Sequence, residues 1–239
     1  MIVAVQVCVD FADLLQHTAS VNRSQFDRFL VVTHPEDYET LQVVQDLDLE
    51  CLTTETFYDN GAAFNKWAAM QEGLDYVSHD GWTALLDSDV FFPSGWRSQI
   101  HLHEDKIFCP RRRSVRRLRQ VPEEKNWKRV RQVANEPFAG YSLIFHRRSR
   151  YCPDVQLFRS DLEWAGTGDQ ELIDHWPASM QVRPGFDVMH VGEMKQNWAG
   201  RVQPFVDGER PRDWEDCLST QVAIERQMKL VNRVDFQYR

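Results

Sequence analysis

The sequence predicts an α/β protein with three layers, in which a mostly parallel central sheet lies between two layers of helices. Strand-like apolar runs alternate with helical segments over the first 90 residues, and this alternation is typical of parallel sheets covered on both faces. The composition, 42% hydrophobic and 12% aromatic, is ample for a packed core. A length of 239 residues suits one large domain or two small ones.

The first half of the chain contains four predicted strands and three predicted helices. The strands are apolar runs that lie at 2–9, 28–33, 48–53 and 82–87. The helices lie at 10–22, 35–47 and about 62–77. Pro35 is expected to start the second helix, and a loop containing Asn60 and Gly61 precedes the third.

The second half is less regular. Its predicted strands lie at 106–110, at 140–147 and as two short pieces within 180–192 around Pro184 and Gly185. Its predicted helices lie at 169–176 and 214–234. No repeat, low-complexity linker or sharp change of composition divides the chain, so a single domain over 1–239 is expected.

Several classes of protein are excluded by the sequence. No run of eighteen apolar residues is present, so no membrane span is expected. The start of the chain has an apolar run but lacks the basic flank and cleavage site of a signal peptide. Five cysteines, an odd number without a CxxC pair, argue against a disulfide framework and a zinc site. These features predict a cytoplasmic protein with reduced thiols.

The charge of the chain is unevenly distributed. The net charge is −8, but the segment 111–131 holds ten of the 28 Lys and Arg residues against two acids. That segment therefore carries +8 and the rest of the chain −16. A concentrated basic segment of this kind indicates an anionic partner, although such segments are also often solvated loops.

Two carboxylates stand one residue apart where the fourth predicted strand ends, in the stretch LLDSDVFF (85–92). Asp87 closes the strand, and Asp89 follows immediately. A turn would account for the aspartates. However, like charges at the edge of a core repel each other and are costly to desolvate, which favours a cation between them. In a parallel sheet, ligands bind beyond the carboxyl ends of the strands. Asp87 and Asp89 are therefore predicted to hold Mg²⁺ or Mn²⁺.

These features together resemble the nucleotide-sugar glycosyltransferases of the GT-A fold, a Rossmann-like fold with an Asp-x-Asp motif at a strand end. GAAFNKWAAMQEGLDY (61–76) is similar to the helix before that motif in many such enzymes. HVGEMKQNW (190–198) resembles the C-terminal His-x-x-Gly-x-x-Lys-Pro-Trp of the glycogenin-like transferases. Here one residue fewer separates His from Gly, and Gln-Asn stands in place of Pro. The matching residues are His190, Gly192, Lys195 and Trp198.

The resemblance implies a role for several residues. His190 would complete the metal site with Asp87 and Asp89, and Lys195 would bind the diphosphate of the donor. The remaining residues expected to bind the nucleotide sugar are Asn65, Lys66, Asp87 and Trp198. Residues 1–90 would then form the donor half and 91–210 the acceptor half that completes the metal site, followed by a C-terminal helix within 211–239.

An inverting transferase also needs a carboxylate base near the sugar. In inverting GT-A enzymes, a Gly-rich loop that enters a helix often ends in an acidic pair that supplies the base. Asp169 and Glu171, after Gly166 and Gly168, are the corresponding pair. Asp169 would also suit a helix N-cap, and a retaining enzyme would need no such base.

The basic segment lies where GT-A enzymes bind their acceptor, so the expected acceptor is polyanionic. The arginines expected to contact it are Arg111, Arg112, Arg113, Arg116 and Arg117. DNA carrying hydroxymethylated bases, as in bacteriophages, would fit a transferase in the host cytoplasm, with the target base flipped out of the duplex. A phosphorylated saccharide or lipopolysaccharide core would fit as well.

Two other classes of function remain open at this stage. Asp-x-Asp after a strand also resembles the phosphatases that use an aspartyl nucleophile, although that nucleophile normally follows the first strand. A non-catalytic nucleic-acid-binding protein would use the arginines and leave the aspartates structural.

Overall fold

The structure is a computed structural model that describes residues 1–62, 64–133, 138, 140–153, 156–158, 162, 165 and 168–192. The predicted helix at 214–234 and the predicted ligands Lys195 and Trp198 lie outside these residues. The statements that follow concern this part of the chain.

Ten strands form two sheets. In chain order they are β1 (Ile2–Val7), β2 (Arg28–Thr33), β3 (Glu50–Thr53), β4 (Trp82–Asp87), β5 (Val90–Phe91), β6 (Ile107–Phe108), β7 (Arg111–Val115), β8 (Ser142–His146), β9 (Gln181–Val182) and β10 (Asp187–Val191). The large sheet has the order β3-β2-β1-β4-β8-β6-β9, and the small sheet has the order β5-β10-β7.

The large sheet is mostly parallel, as predicted. Strands β1 to β4 all run parallel to one another, and β6 runs parallel to β9. Only β8 is antiparallel to both of its partners in this sheet, β4 and β6. The carboxyl ends of β1, β2 and β4 therefore meet at one edge of the sheet.

Four helices are described: α1 (Ala12–Asn22), α2 (Tyr38–Asp46), α3 (Lys66–Val77) and α4 (Gly168–Asp174). Two of them begin later than predicted because side-chain caps set their first turns. Asp37, not Pro35, caps α2 by accepting the N–H of Thr40 at 3.0 Å. Asn65 caps α3 by accepting the N–H of Ala68 at 3.0 Å, after a 3₁₀ turn, Thr56–Gly61.

Helix α3 packs closely on the large sheet. A Cβ atom at Gly73 would lie 2.6 Å from Cγ2 of Val32 and 2.9 Å from Cγ1 of Val5. A side chain at this position would therefore force the helix away from β1 and β2. Strand β1 is buried along its whole length, as expected for a strand with a layer on each face.

The basic segment begins as a strand of the small sheet. Strand β7 pairs in parallel with β10, and β10 pairs antiparallel with β5, which directly follows Asp89. The sequence analysis did not predict this strand. The strand is formed because β10 offers it a backbone partner, which a local pattern rich in arginine does not reveal.

Two further features concern the cysteines and the helices. The four described cysteines are free thiols. No helix within the described ranges is long and apolar enough to cross a membrane.

Candidate active site

Asp87 lies at the carboxyl end of β4, in the middle of the large sheet. The strands on either side fix its backbone. The Gln6 side chain of β1 donates from Nε2 to the carbonyl of Asp87 at 3.0 Å, and the N–H of Asp87 donates to the carbonyl of Tyr141 at 3.0 Å. The backbone of Asp87 is therefore fixed at the carboxyl end of β4, the edge at which parallel sheets bind their ligands.

Lys66 forms an ion pair with Asp87. Its Nζ donates to Oδ1 of Asp87 and lies 4.4 Å from the centroid of the Trp67 ring. The first turn of α3 delivers Lys66 to this position, because the Asn65 cap starts the helix at the carboxyl edge of the sheet. The Lys66 side chain is only 11% exposed, which is unusual for lysine and fits a defined partner.

The pKa of Asp87 reflects several opposing effects. Burial raises this pKa above its ordinary value, and the neighbouring carboxylate of Asp89 raises it further. The charges of Lys66 and His190 lower it. The net effect is a raised pKa, so the site would gain from one more positive charge beside Asp87 and Asp89.

Asp89 and His190 meet across β5 and β10. Nε2 of His190 lies 3.4 Å from Oδ2 of Asp89, and the two side chains are 9% and 13% exposed. The pairing of His190 with Val90 and the hydrogen bond from the N–H of Val191 to the carbonyl of Asp89, 2.9 Å long, hold them together. The structure thus brings together two residues that are about a hundred positions apart in the chain.

The predicted three-residue metal site is only partly assembled. Among the described residues, no three His, Cys, Asp or Glu side chains form a group that could hold a metal ion. Asp89 and His190 are adjacent, whereas Asp87 is paired with Lys66. Two protein ligands still suit Mg²⁺ or Mn²⁺, which commonly take their other ligands from water and substrate phosphates.

Asp169 reaches the same crevice from α4. Its Oδ2 accepts the N–H of Gly140 at 2.7 Å. Burial raises the pKa of Asp169, while the charge of Lys66 and the N–H of Gly140 lower it and the charge of Asp87 raises it. Lys66 and Asp87 are therefore near enough to Asp169 for their charges to influence its pKa.

Helix α4 begins at Gly168, so Asp169 lies within its first turn. The Asp169 carboxylate accepts the N–H of Gly140, just before β8, and a backbone hydrogen bond from Gln170 at the start of α4 also lowers its pKa. A Cβ atom at Gly140 would lie 2.0 Å from Cβ of Asp169, so only glycine allows this approach. Glu171 is in the same helical turn and is half-buried.

The predicted acceptor arginines separate into two groups. Arg113 is committed to the fold: its Nε lies 2.7 Å from Oδ2 of Asp187, and its Nη1 donates to the carbonyl of Lys128 at 3.0 Å. Arg112 is half-buried and lies over the ring of Tyr141, 4.8 Å from the centroid. The exposed members of the predicted set are Arg111, Arg116 and Arg117.

The sequence analysis missed Gln6. This side chain is fully buried in an otherwise apolar strand, and it supports the backbone of Asp87. Its only signal in the sequence is a polar residue inside the run IVAVQV (2–7). A buried amide usually has a hydrogen-bonding role, but the sequence does not give its partner.

No protein-family model and no curated protein matches the sequence. Among solved structures, a mannosyltransferase from Pyrobaculum calidifontis in complex with GDP-Man and Mn²⁺ matches with a TM-score of 0.52 and 16% identity. The match covers 82% of this chain and 58% of the mannosyltransferase chain, so the present chain spans little more than half of that protein. Mannosyl-3-phosphoglycerate synthase from Rubrobacter xylanophilus matches with a TM-score of 0.51 and 13% identity, over 100% of this chain and 76% of the other.

These likenesses establish the fold. The chain has the Rossmann-like GT-A fold, the fold of the nucleotide-sugar glycosyltransferases that its sequence resembles. At 13–16% identity they do not extend to activity or substrate.

Proposed function

We propose that this protein is a metal-dependent glycosyltransferase that moves a sugar from a nucleotide-sugar donor to the hydroxyl group of an anionic acceptor. One observation carries the proposal. The crevice at the carboxyl end of β4 collects Lys66, Asp87, Asp89, Asp169 and His190 from separate elements of a GT-A fold. This collection contains three potential metal ligands, Asp87, Asp89 and His190, together with the buried ammonium of Lys66 and the further carboxylate of Asp169.

Asp89 and His190 are proposed to hold Mn²⁺ or Mg²⁺, together with Asp87. The divalent ion would neutralise the negative charge of the nucleoside diphosphate as its bond to the sugar breaks. Lys66 adds a positive charge at the same edge of the sheet, and its ion pair with Asp87 orients that carboxylate. In this proposal, residues 1–90 bind the donor and the later elements bind the acceptor, with the reaction taking place in the cytoplasm.

Asp169 is proposed as the general base. The acceptor hydroxyl must transfer its proton as its oxygen forms the new bond to the sugar. The raised pKa of Asp169 makes its carboxylate a stronger base than an exposed aspartate, and the N–H of Gly140 holds it in one orientation. Glu171 is the alternative base in the same helical turn.

The finer proposal for the acceptor is DNA that carries hydroxymethylated bases. It is supported by the number of exposed cations in the basic segment, which exceeds the needs of a small ligand. The exposed Lys and Arg residues there are Arg111, Arg116, Arg117, Arg119, Lys125, Lys128, Arg129 and Arg131. A phosphorylated saccharide is the alternative acceptor.

A screen of nucleotide sugars in the presence of Mn²⁺ tests the proposal. With the correct donor, mass spectrometry should detect release of nucleoside diphosphate, slow by hydrolysis and faster with acceptor. Asp87→Asn should abolish the release, while Asp75→Asn, a matched change on the exposed side of α3, should not. The aspartyl phosphatase alternative predicts instead a phosphoenzyme at Asp87 and hydrolysis of simple phosphate esters. No release from any donor, with either of those results, would refute the transferase.

A further inference from the structure

A cavity of about 280 Å³ lies beside His190. It is lined in part by Arg112, Ser114, Arg116 and His190. The register of the small sheet explains this grouping. Ser114 pairs with His190, and Arg112 and Arg116 are two residues before and after Ser114. Alternate residues of an extended segment share a face, so Arg112 of β7 and Arg116, which directly follows β7, lie beside the candidate metal ligand.

The described lining of the cavity is basic. Two of these side chains are guanidinium groups, and none of the described lining residues is acidic. Arg112 is held in place by the ring beneath it, since Tyr141 is buried and its hydroxyl donates to the carbonyl of Pro110. An arginine that is already ordered loses little entropy when it binds an anion, and a planar guanidinium suits two oxygens of a phosphate.

The size of the cavity points to a small ligand. Its volume lies just below the range of cavities that bind whole small molecules, about 300–1,000 Å³, and would suit one phosphate group with a few carbon atoms. The backbone borders one side of it, where the N–H of Val133 donates to the carbonyl of Arg112 at 3.2 Å.

We propose that Arg112 and Arg116 form a binding site for the phosphate group of a small phosphorylated acceptor, with Ser114 as a further hydrogen-bond donor. This inference rests on the proposed glycosyltransferase function and takes up its alternative acceptor, a phosphorylated small molecule, in place of DNA. The acceptor phosphate would bind beside His190, which directs the acceptor hydroxyl towards the donor sugar. The cation–phosphate contact would thereby select acceptors by charge and set their orientation.

Calorimetry with inorganic phosphate tests the site without any need for turnover. Wild-type protein is titrated with phosphate in the presence of Mg²⁺, alone and with saturating UDP or GDP. Arg116→Gln, an exposed position where the fold should tolerate the change, should weaken phosphate binding by about tenfold or more, because a charge-assisted hydrogen bond is lost. Arg119→Gln removes the same charge from an exposed position of the same segment and should change the affinity less than about twofold.

Two results of this titration would overturn the inference. Equal affinities in the Arg116 and Arg119 variants would mean that the cavity binds no phosphate. Loss of phosphate binding when UDP or GDP is present would assign the cavity to the diphosphate of the donor. Arg112→Gln, checked by thermal unfolding, provides a second variant for the same comparison.

Transfer assays identify the acceptor. Small phosphorylated alcohols and sugars are compared with their dephosphorylated forms, and also with hydroxymethylated DNA, at equal salt. The phosphorylated form should be preferred by about tenfold or more in kcat/KM, and Arg116→Gln should remove that preference. Transfer to DNA but not to small phosphates would overturn the inference and leave the proposed function intact. Failure of donor release, measured separately, would refute the function while the phosphate titration still reports on the cavity.

Discussion

Replacing Asp169 by Asn should remove transfer activity without lowering stability. Asn has the same shape, and its amide oxygen can still accept the N–H of Gly140, which Asp169 accepts at 2.7 Å. Because burial raises the pKa of Asp169 in the folded state, ionisation of this group opposes folding. The stability that the group contributes is complete below its unfolded-state pKa and is lost as the pH rises through the folded-state pKa.

The sign and size of the stability effect follow from these contacts. Asn does not ionise, so the melting temperature of Asp169→Asn should equal or exceed that of the wild type at pH 8. The difference should shrink as the pH falls towards about 4, the ordinary pKa of aspartate. Asp169→Ala should behave differently, because it leaves the buried N–H of Gly140 without its acceptor, at a cost of about 1–3 kcal/mol.

The activity effect is larger. A positioned general base contributes about 10²- to 10⁴-fold, or roughly 3–5 kcal/mol of transition-state stabilisation. Transfer by Asp169→Asn should fall by this factor while donor affinity is unchanged. The wild-type pH profile should have an acidic limb above the ordinary pKa of aspartate, because Asp169 must be ionised to act, and the variant should lack it.

Thermal unfolding at several pH values and acceptor-dependent release of nucleoside diphosphate measure the two effects. Asp174→Asn is the matched control, since Asp174 is an exposed residue of the same helix, and it should retain full activity. Full transfer activity in Asp169→Asn would refute the assignment of the base and favour Glu171 or a retaining mechanism. A loss of stability as large as that of Asp169→Ala would refute the electrostatic reasoning.

Three further predictions concern residues around the crevice. Asp89→Asn should weaken Mn²⁺-dependent donor binding by at least about tenfold, because it removes an anionic ligand. Titration calorimetry measures this with Asp75→Asn as control, and an unchanged affinity would mean that Asp89 only stabilises a turn. Gly140→Ala should lower the stability by about 1–3 kcal/mol and should also reduce transfer activity, because the new Cβ atom would lie 2.0 Å from Cβ of Asp169. A variant with full activity and stability would contradict this close approach. Asn65→Ala should lose about 1 kcal/mol of stability and Asn65→Ser much less, as measured by chemical denaturation; equal losses would mean that the cap is unimportant.

The sequence specified the fold class well where local signals were strong. Strands β2 and β4 lie at their predicted positions. These two were predicted correctly because a continuous apolar run is typical of a strand that is buried on both faces. Helix starts were less accurate. At α2 the pattern favoured Pro35, but Asp37 caps the helix, since the cap requires a backbone geometry that sequence spacing alone does not give.

The sequence also identified the groups of the candidate site but not their pairing. Asp87 and Asp89 were recognised as costly charges at a strand end, and Asp169 as an acid after a glycine-rich loop. Their partners depend on contacts across the fold. Because Lys66 pairs with Asp87, only Asp89 and His190 of the three predicted metal ligands lie side by side among the described residues.

By itself, the sequence determined the layered α/β fold and the chemistry available at the end of β4, because hydrophobic periodicity and strand ends are local properties. Only the tertiary structure decided which charges face each other. The pairing of β5, β7 and β10 joins Asp89 to His190 and divides the arginines between an ion pair with Asp187 and a cavity beside His190. Strand register fixes these distances, and register depends on backbone hydrogen bonds between segments that are far apart in the chain.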